Sequence, residues 1–155
     1  MTSHSETRLV PYPAELMYRI VADIERYPEF LPWVVALRVK SSDRVRERQV
    51  LLAEMAVGYG GLRERYTSRV VLDPQLRTID VVQTDGPFRS LENHWRFESE
   101  AGGCRVHFSI AFEFRSRILG AVASRAFERV MLKMTDAFEA RARALSSFPP
   151  SDNPL

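Results

Sequence analysis

Between Cys104 and Phe114 the apolar residues fall on every second position: Cys104, Val106, Phe108, Ile110, Phe112 and Phe114. That is the period of a strand with one buried face. After Ser116 the period becomes helical. From Ile118 to Leu145, one side of a helical wheel collects Leu119, Val122, Ala123, Ala126, Phe127, Val130, Met131, Met134, Ala137 and Phe138. Arg125, Glu128, Arg129, Asp136, Glu139 and Arg143 take the other side. So wide an apolar face needs a broad apolar surface to cover it, and the earlier strands are expected to supply it.

Residues 1–5 are expected to be a disordered N-terminus, 6–146 a single domain and 147–155 a flexible, proline-containing tail. Glu6–Val10 reads as a short strand, and Pro13 opens a helix over Ala14–Asp23 with Leu16, Met17 and Ile20 as its stripe. From Arg26 to Trp33, Pro28 and Pro32 allow one short helical turn carrying Tyr27, Phe30, Leu31 and Trp33. Strands follow. In the first, Val35, Leu37 and Val39 alternate with Val34, Ala36 and Arg38, and Ser41–Asp43 makes its turn. Arg46–Val57 points Gln49, Leu51, Ala53, Met55 and Val57 inward, and Gly58–Gly61 breaks it. Gly61–Leu72, Leu76–Thr84 and Ser90–Glu98 complete the run before the Cys104 strand. Short turns between successive strands favour an antiparallel meander. The order predicts an α+β fold: a curved antiparallel sheet wrapped around a long C-terminal helix, with a mostly apolar cavity between them.

Composition narrows the function. The 155 residues suit one domain, and 45% hydrophobic with 27% charged content is ordinary for a soluble chain. A net charge of +2, from 22 basic and 20 acidic residues, gives little support to DNA binding. The single cysteine, Cys104, excludes an internal disulfide and fits a cytoplasmic setting. No apolar run approaches the roughly 20 residues of a membrane span.

Catalytic signatures are missing from the sequence. His94 and His107 alternate with apolar positions and so face outward, His4 sits in the N-terminal end, and no metal-ligand spacing appears. Gly58–Gly61 lies between two strands, where a hairpin turn fits better than a phosphate cradle. Cys104 belongs to an apolar face and reads as a core residue. Arg115 falls outside the alternation and suits a solvent-facing or helix-capping role. More informative are polar residues on apolar faces. Glu64, Tyr66, Ser68 and Val70 share one side of their strand, opposite Arg63, Arg65, Thr67 and Arg69, and Asn93 interrupts Leu91, Trp95 and Phe97. Glu64 and Asn93 are either tied to backbone or rim, or they recognise the polar end of an apolar ligand.

Several stretches carry a family resemblance: Tyr27 to Trp33, Val57–Gly58 followed by Glu64, Tyr66, Ser68 and Val70, Leu91 to Phe97, Phe112 to Ser116, and Phe138 to Ala142. Over Glu6 to Leu145 the chain resembles the coenzyme Q-binding branch of the START-like, polyketide-cyclase-like superfamily. The resemblance implies a helix-grip (START-like, Bet v 1-like) fold. It also implies a non-enzymatic protein that binds ubiquinone or a similar polyprenyl quinone and supports respiratory electron transport or quinone biosynthesis. Ubiquinone is then a bound ligand, and no cofactor or metal is required. Ribosome-association toxins, which bind the large ribosomal subunit and block subunit joining, are similar in the same branch. Polyketide cyclases and aromatases are a more distant alternative. The expected ligand contacts are Glu64, Tyr66, Asn93, Trp95, Phe112, Phe114, Val122, Ala126, Val130 and Met134. Tyr27, Phe30, Leu31 and Trp33 are expected at the cavity mouth, sealing it from inside or meeting a membrane on the inner face of a bacterial inner membrane. A monomer is expected.

Overall fold

The computed structural model describes residues 2–146. Seven antiparallel strands form one sheet: β1 (Thr2–Val10), β2 (Val34–Val45), β3 (Arg48–Tyr59), β4 (Leu62–Asp73), β5 (Thr78–Asp85), β6 (Phe88–Glu100) and β7 (Gly103–Phe114). Their order is β1-β7-β6-β5-β4-β3-β2, so only β1 leaves the meander to pair with a distant strand. Helix α1 (Ala14–Ala22) and a short 3-10 helix (Ile24–Glu29) fill the connection from β1 to β2, and α2 (Arg117–Ser146) ends the fold. The expected tail, 147–155, lies outside the described residues.

The N-terminal strand and both ends of β2 differ from expectation. Thr2–Ser5 are strand, not a frayed end, because β7 offers partners as far as Thr2↔Phe112. β2 continues through Ser41–Asp43 to Val45, and the reversal falls at Arg46, whose φ of 60° takes the left-handed turn conformation. An irregularity between Val34 and Ala36 flips the start of β2, burying Val34 and leaving Val35 55% exposed. Plain alternation groups Val35 with Leu37 and Val39, and the irregularity breaks that grouping.

Helix α2 starts where Ser116 Oγ accepts the Leu119 backbone N–H at 3.1 Å, an N-cap. Its buried stripe is Ala123, Phe127, Val130, Met131, Thr135, Phe138 and Ala142. The stripe is narrower than the apolar face of the wheel and is rotated away from Val122. One flank of the helix is tied to β1. Thr135 Oγ1 lies 3.0 Å from both carboxylate oxygens of Glu6 and donates to them. Arg8 reaches Glu6 and Asp136 at 2.7 Å and Glu139 at 3.0 Å. Burial opposes the Arg8 charge, but hydrogen bonds to Asp136 and Glu139, with Glu6 adding to them, hold its pKa above the ordinary arginine value. The other flank meets the β3–β4 hairpin through Lys133, whose Nζ donates to Tyr59 Oη at 3.1 Å and sits over the Tyr59 ring.

Phe88, Phe97, Phe108, Phe112 and Phe138 are each at most 2% exposed. Burial of side chains of this size contributes about 1.5–3 kcal/mol apiece. Phe88 stacks on Phe114 at 4.7 Å, and Phe112 meets Phe127 edge-on at 4.6 Å. These rings close one end of the space beneath α2.

Candidate functional site: an apolar cavity beneath the long helix

The inner faces of β2–β6 cannot all reach α2, and a cavity remains. Its interior gives the centre of a water-sized sphere about 100 Å³ in which to move, several times the 10–15 Å³ or so that one water needs. The roof is Phe127, Val130, Met131, Met134 and Phe138 of α2. The floor is made by Ala53, Met55, Tyr66, Ser68, Val70, Val81, Leu91, Asn93 and Trp95, and the segment before β2 adds Tyr27, Leu31 and Trp33. Among the described residues no charged side chain lines it.

Three of the four polar side chains on the wall have hydrogen-bond partners. Asn93 Nδ2 donates to the Ser109 carbonyl at 2.9 Å, and Asn93 Oδ1 accepts the Trp95 indole N–H at 3.1 Å. The Tyr27 hydroxyl donates to the Val21 carbonyl, and burial raises its pKa above the usual phenol value. The Tyr66 hydroxyl reaches only the Met55 sulfur, at 3.8 Å, and burial pushes its pKa up to about 12. Ser68, 5% exposed, has no partner for its buried Oγ.

The sequence-derived site divides in the structure. Tyr66, Asn93, Trp95, Val130 and Met134 line the cavity, as do Tyr27, Leu31 and Trp33. Phe112 and Phe114 do not, because they are used in the aromatic plug with Phe88 and Phe127. Glu64 is half-buried near the end of β4, opposite Val57, and is not part of the wall. Ala126 lies on the flank of α2, and Val122 is 75% exposed. Phe30 packs on Phe138 at 5.4 Å, beneath the Arg141 guanidinium. Leu31 and Trp33 are 1% and 5% exposed, so this segment closes the cavity from inside and does not present Trp33 to a membrane. Ser68 was legible only as a small polar residue on an inward face, and nothing in the sequence marks its hydroxyl as unpartnered.

Outside the cavity several titratable groups are paired or structural. His94 Nδ1 contacts Asp80 at 2.6 Å and His107 Nε2 contacts Glu98 at 3.0 Å, both on the outer sheet face. Burial raises the pKa of the Cys104 thiol, as befits a core residue. Arg115 Nε donates to the Gly86 carbonyl, clasping the β5–β6 turn. Among the described residues no group of histidine, cysteine and carboxylate side chains could hold a metal ion. No helix among them is long and apolar enough to cross a membrane.

A curved antiparallel sheet gripping one long helix over an apolar cavity defines the START-like, helix-grip class. Residues 10–139 match the family described as Polyketide cyclase / dehydrase and lipid transport, and the chain belongs to that family. It is 35% identical to the ribosome association toxin RatA of Rickettsia prowazekii over 146 residues, covering 92% of this chain and 97% of that protein. It is also 35% identical to the mitochondrial coenzyme Q-binding protein COQ10 homolog B of Xenopus laevis over 144 residues, covering 90% of this chain and 57% of that one. The solution structure of the 18 kDa protein CC1736 from Caulobacter crescentus superposes with a TM-score of 0.79 at 36% identity, covering 95% of this chain and 99% of that one.

Proposed function

We propose that this protein is a lipid carrier whose cavity takes the ring of ubiquinone or a similar polyprenyl quinone, serving respiratory electron transport or quinone biosynthesis. The observation that carries the reading is the uncharged, aromatic-walled cavity under α2, with two hydroxyls on its floor. The space suits a ring and is too small for a long isoprenoid tail, which would leave along the lightly held flank between α2 and the β3–β4 hairpin. No step of bond making is assigned to the site. Mass spectrometry of the organic extract of the purified protein tests the reading. A copurified quinone supports it, and an extract with no apolar ring compound counts against it.

Loading from a bilayer would need a surface that meets lipid. The outward face of the first half of α2 is the best equipped. Ile118, Val122 and Leu132 are 79%, 75% and 59% exposed there, with Arg125 and Arg129 on the same face by their spacing. Aliphatic side chains set among cations fit an anionic bilayer surface.

A second reading is favoured by the similarity to proteins named ribosome association toxin, which runs over nearly their full length. Under it, the protein binds the large ribosomal subunit and blocks subunit joining. Cosedimentation of an empty protein with large subunits would favour this reading over the carrier.

A further inference from the structure

Once Asn93 and Tyr27 are accounted for, the polar character of the cavity comes down to β4. Ser68 Oγ is the one buried side-chain polar atom without a partner among the described residues. Tyr66 occupies the next inward position of the same strand, and its hydroxyl has only a thioether, a weak acceptor, within reach. Buried hydroxyls are nearly always paired in folded proteins. Here two incompletely paired hydroxyls belong to successive inward positions of one strand on the wall of the same cavity.

We infer that Ser68 and Tyr66 form a two-donor subsite for the carbonyl oxygen of a flat, uncharged ring. The inference rests on reading the cavity as a ligand site and names the atoms that give it specificity. A carbonyl oxygen has two lone pairs and can accept from both hydroxyls. Burial keeps the Tyr66 phenol protonated through the ordinary pH range, so it remains a donor. A carboxylate or phosphate head group is excluded because its charge would be buried with no cation on the wall to pair it. Trp33 and Trp95 also line the cavity and give the ring apolar surfaces to lie against. The subsite therefore selects a neutral ring ketone or quinone over a fatty acid or a phospholipid head.

Trp33 and Trp95 are the two tryptophans of the chain, so their fluorescence reports directly on the cavity. The experiment titrates the full-length protein with a ubiquinone carrying a single isoprene unit and, separately, with durene, a methylated ring without a carbonyl. The proteins are wild type, Ser68→Ala, Tyr66→Phe and the double variant. Each single change is expected to weaken the quinone by about 3- to 10-fold, the range of one net hydrogen bond, and the double variant more. Durene affinity is expected to stay within about twofold, a shift too small to be one hydrogen bond. Ser68→Ala is also expected to melt no lower than the empty wild type, since it removes an unpaired buried hydroxyl. If all four proteins bind quinone equally, water satisfies the hydroxyls and the subsite is overturned while the cavity reading stands. If the wild type binds neither compound, both fall together.

Discussion

The side-chain oxygen of Asn93 accepts the indole N–H of Trp95 at 3.1 Å, and the same amide donates to the Ser109 carbonyl on the neighbouring strand at 2.9 Å. Asn93 is thus a bracket that orients Trp95 on the cavity wall, and its hydrogen-bonding groups are already engaged. Asn93→Leu strands the indole N–H and a backbone carbonyl. Leaving such groups unpaired costs about 1–3 kcal/mol. The melting temperature is expected to fall by roughly 2–4 °C for each kcal/mol lost, measured by circular dichroism. An unchanged melting temperature would remove Asn93 from this role.

Val130 sits in the middle of the cavity roof and is 7% exposed. Val130→Trp puts an indole into the empty space. Any overpacking is expected to cost about 1–3 kcal/mol, leaving a folded protein that no longer takes the short-chain quinone. Retained quinone binding in a folded variant would place the ligand elsewhere.

His94 supplies a pH signature on the outer face. Its hydrogen bond to Asp80 raises its pKa above the ordinary histidine value, aided by Glu92 and partly opposed by burial. The folded state therefore favours the protonated ring. Its contribution to stability is full below about 6.5, the unfolded value, and is lost as pH rises through the higher folded value. The stability gap between wild type and His94→Asn is expected to narrow from about pH 6 to about pH 8. With 46% of the side chain exposed, the gap should be small and shrink further in salt. Urea melts at a series of pH values measure it, and a gap that widens with pH reverses the assignment.

The outward face of α2 should respond separately to loss of its apolar and its basic residues. Arg125 and Arg129 make no ion pair among the described residues, unlike Arg141 on a later turn, which pairs with Glu29. Wild type is expected to sediment with phosphatidylglycerol vesicles and not with phosphatidylcholine alone. Each cation lost is expected to weaken partition about fivefold, the equivalent of roughly 1 kcal/mol. Arg125→Gln with Arg129→Gln, and separately Ile118→Ser with Val122→Ser, should each release the protein. If only the arginine pair matters and RNA competes, the face reads nucleic acid instead.

The contrast between what the sequence discloses and what it conceals lies in the range of the interactions involved. Alternation in β7 and the 3.6-residue period after Ser116 are local, and both elements stand where they were expected. The rotation of α2 is not local. The apolar set of the wheel includes Val122 and leaves Thr135 out, yet Thr135 is buried and donates to Glu6 across 129 positions of chain. Val122 is turned outward by the same tether. Phe112 and Phe114 were correctly read as inward, but only the packing of Phe88 and Phe127 shows that they meet rings and not the cavity. The β2 irregularity likewise exchanges Val34 for Val35, which residue types do not reveal.

The pairing of β1 with β7 also bears on how the chain is made. Val10 waits for Cys104, and Thr2 for Phe112. At about 5–20 residues per second of synthesis, the N-terminal strand and α1 are without their sheet partner for roughly 5–20 s. During that time β2–β6 can assemble from neighbouring hairpins, which close fastest because their contacts are local. Since α2 is synthesised after all seven strands, the apolar trough stands open before its cover arrives. The nascent chain thus exposes Trp95, Leu91 and Val70 at the stage when a chaperone, or the ligand itself, could first occupy the groove.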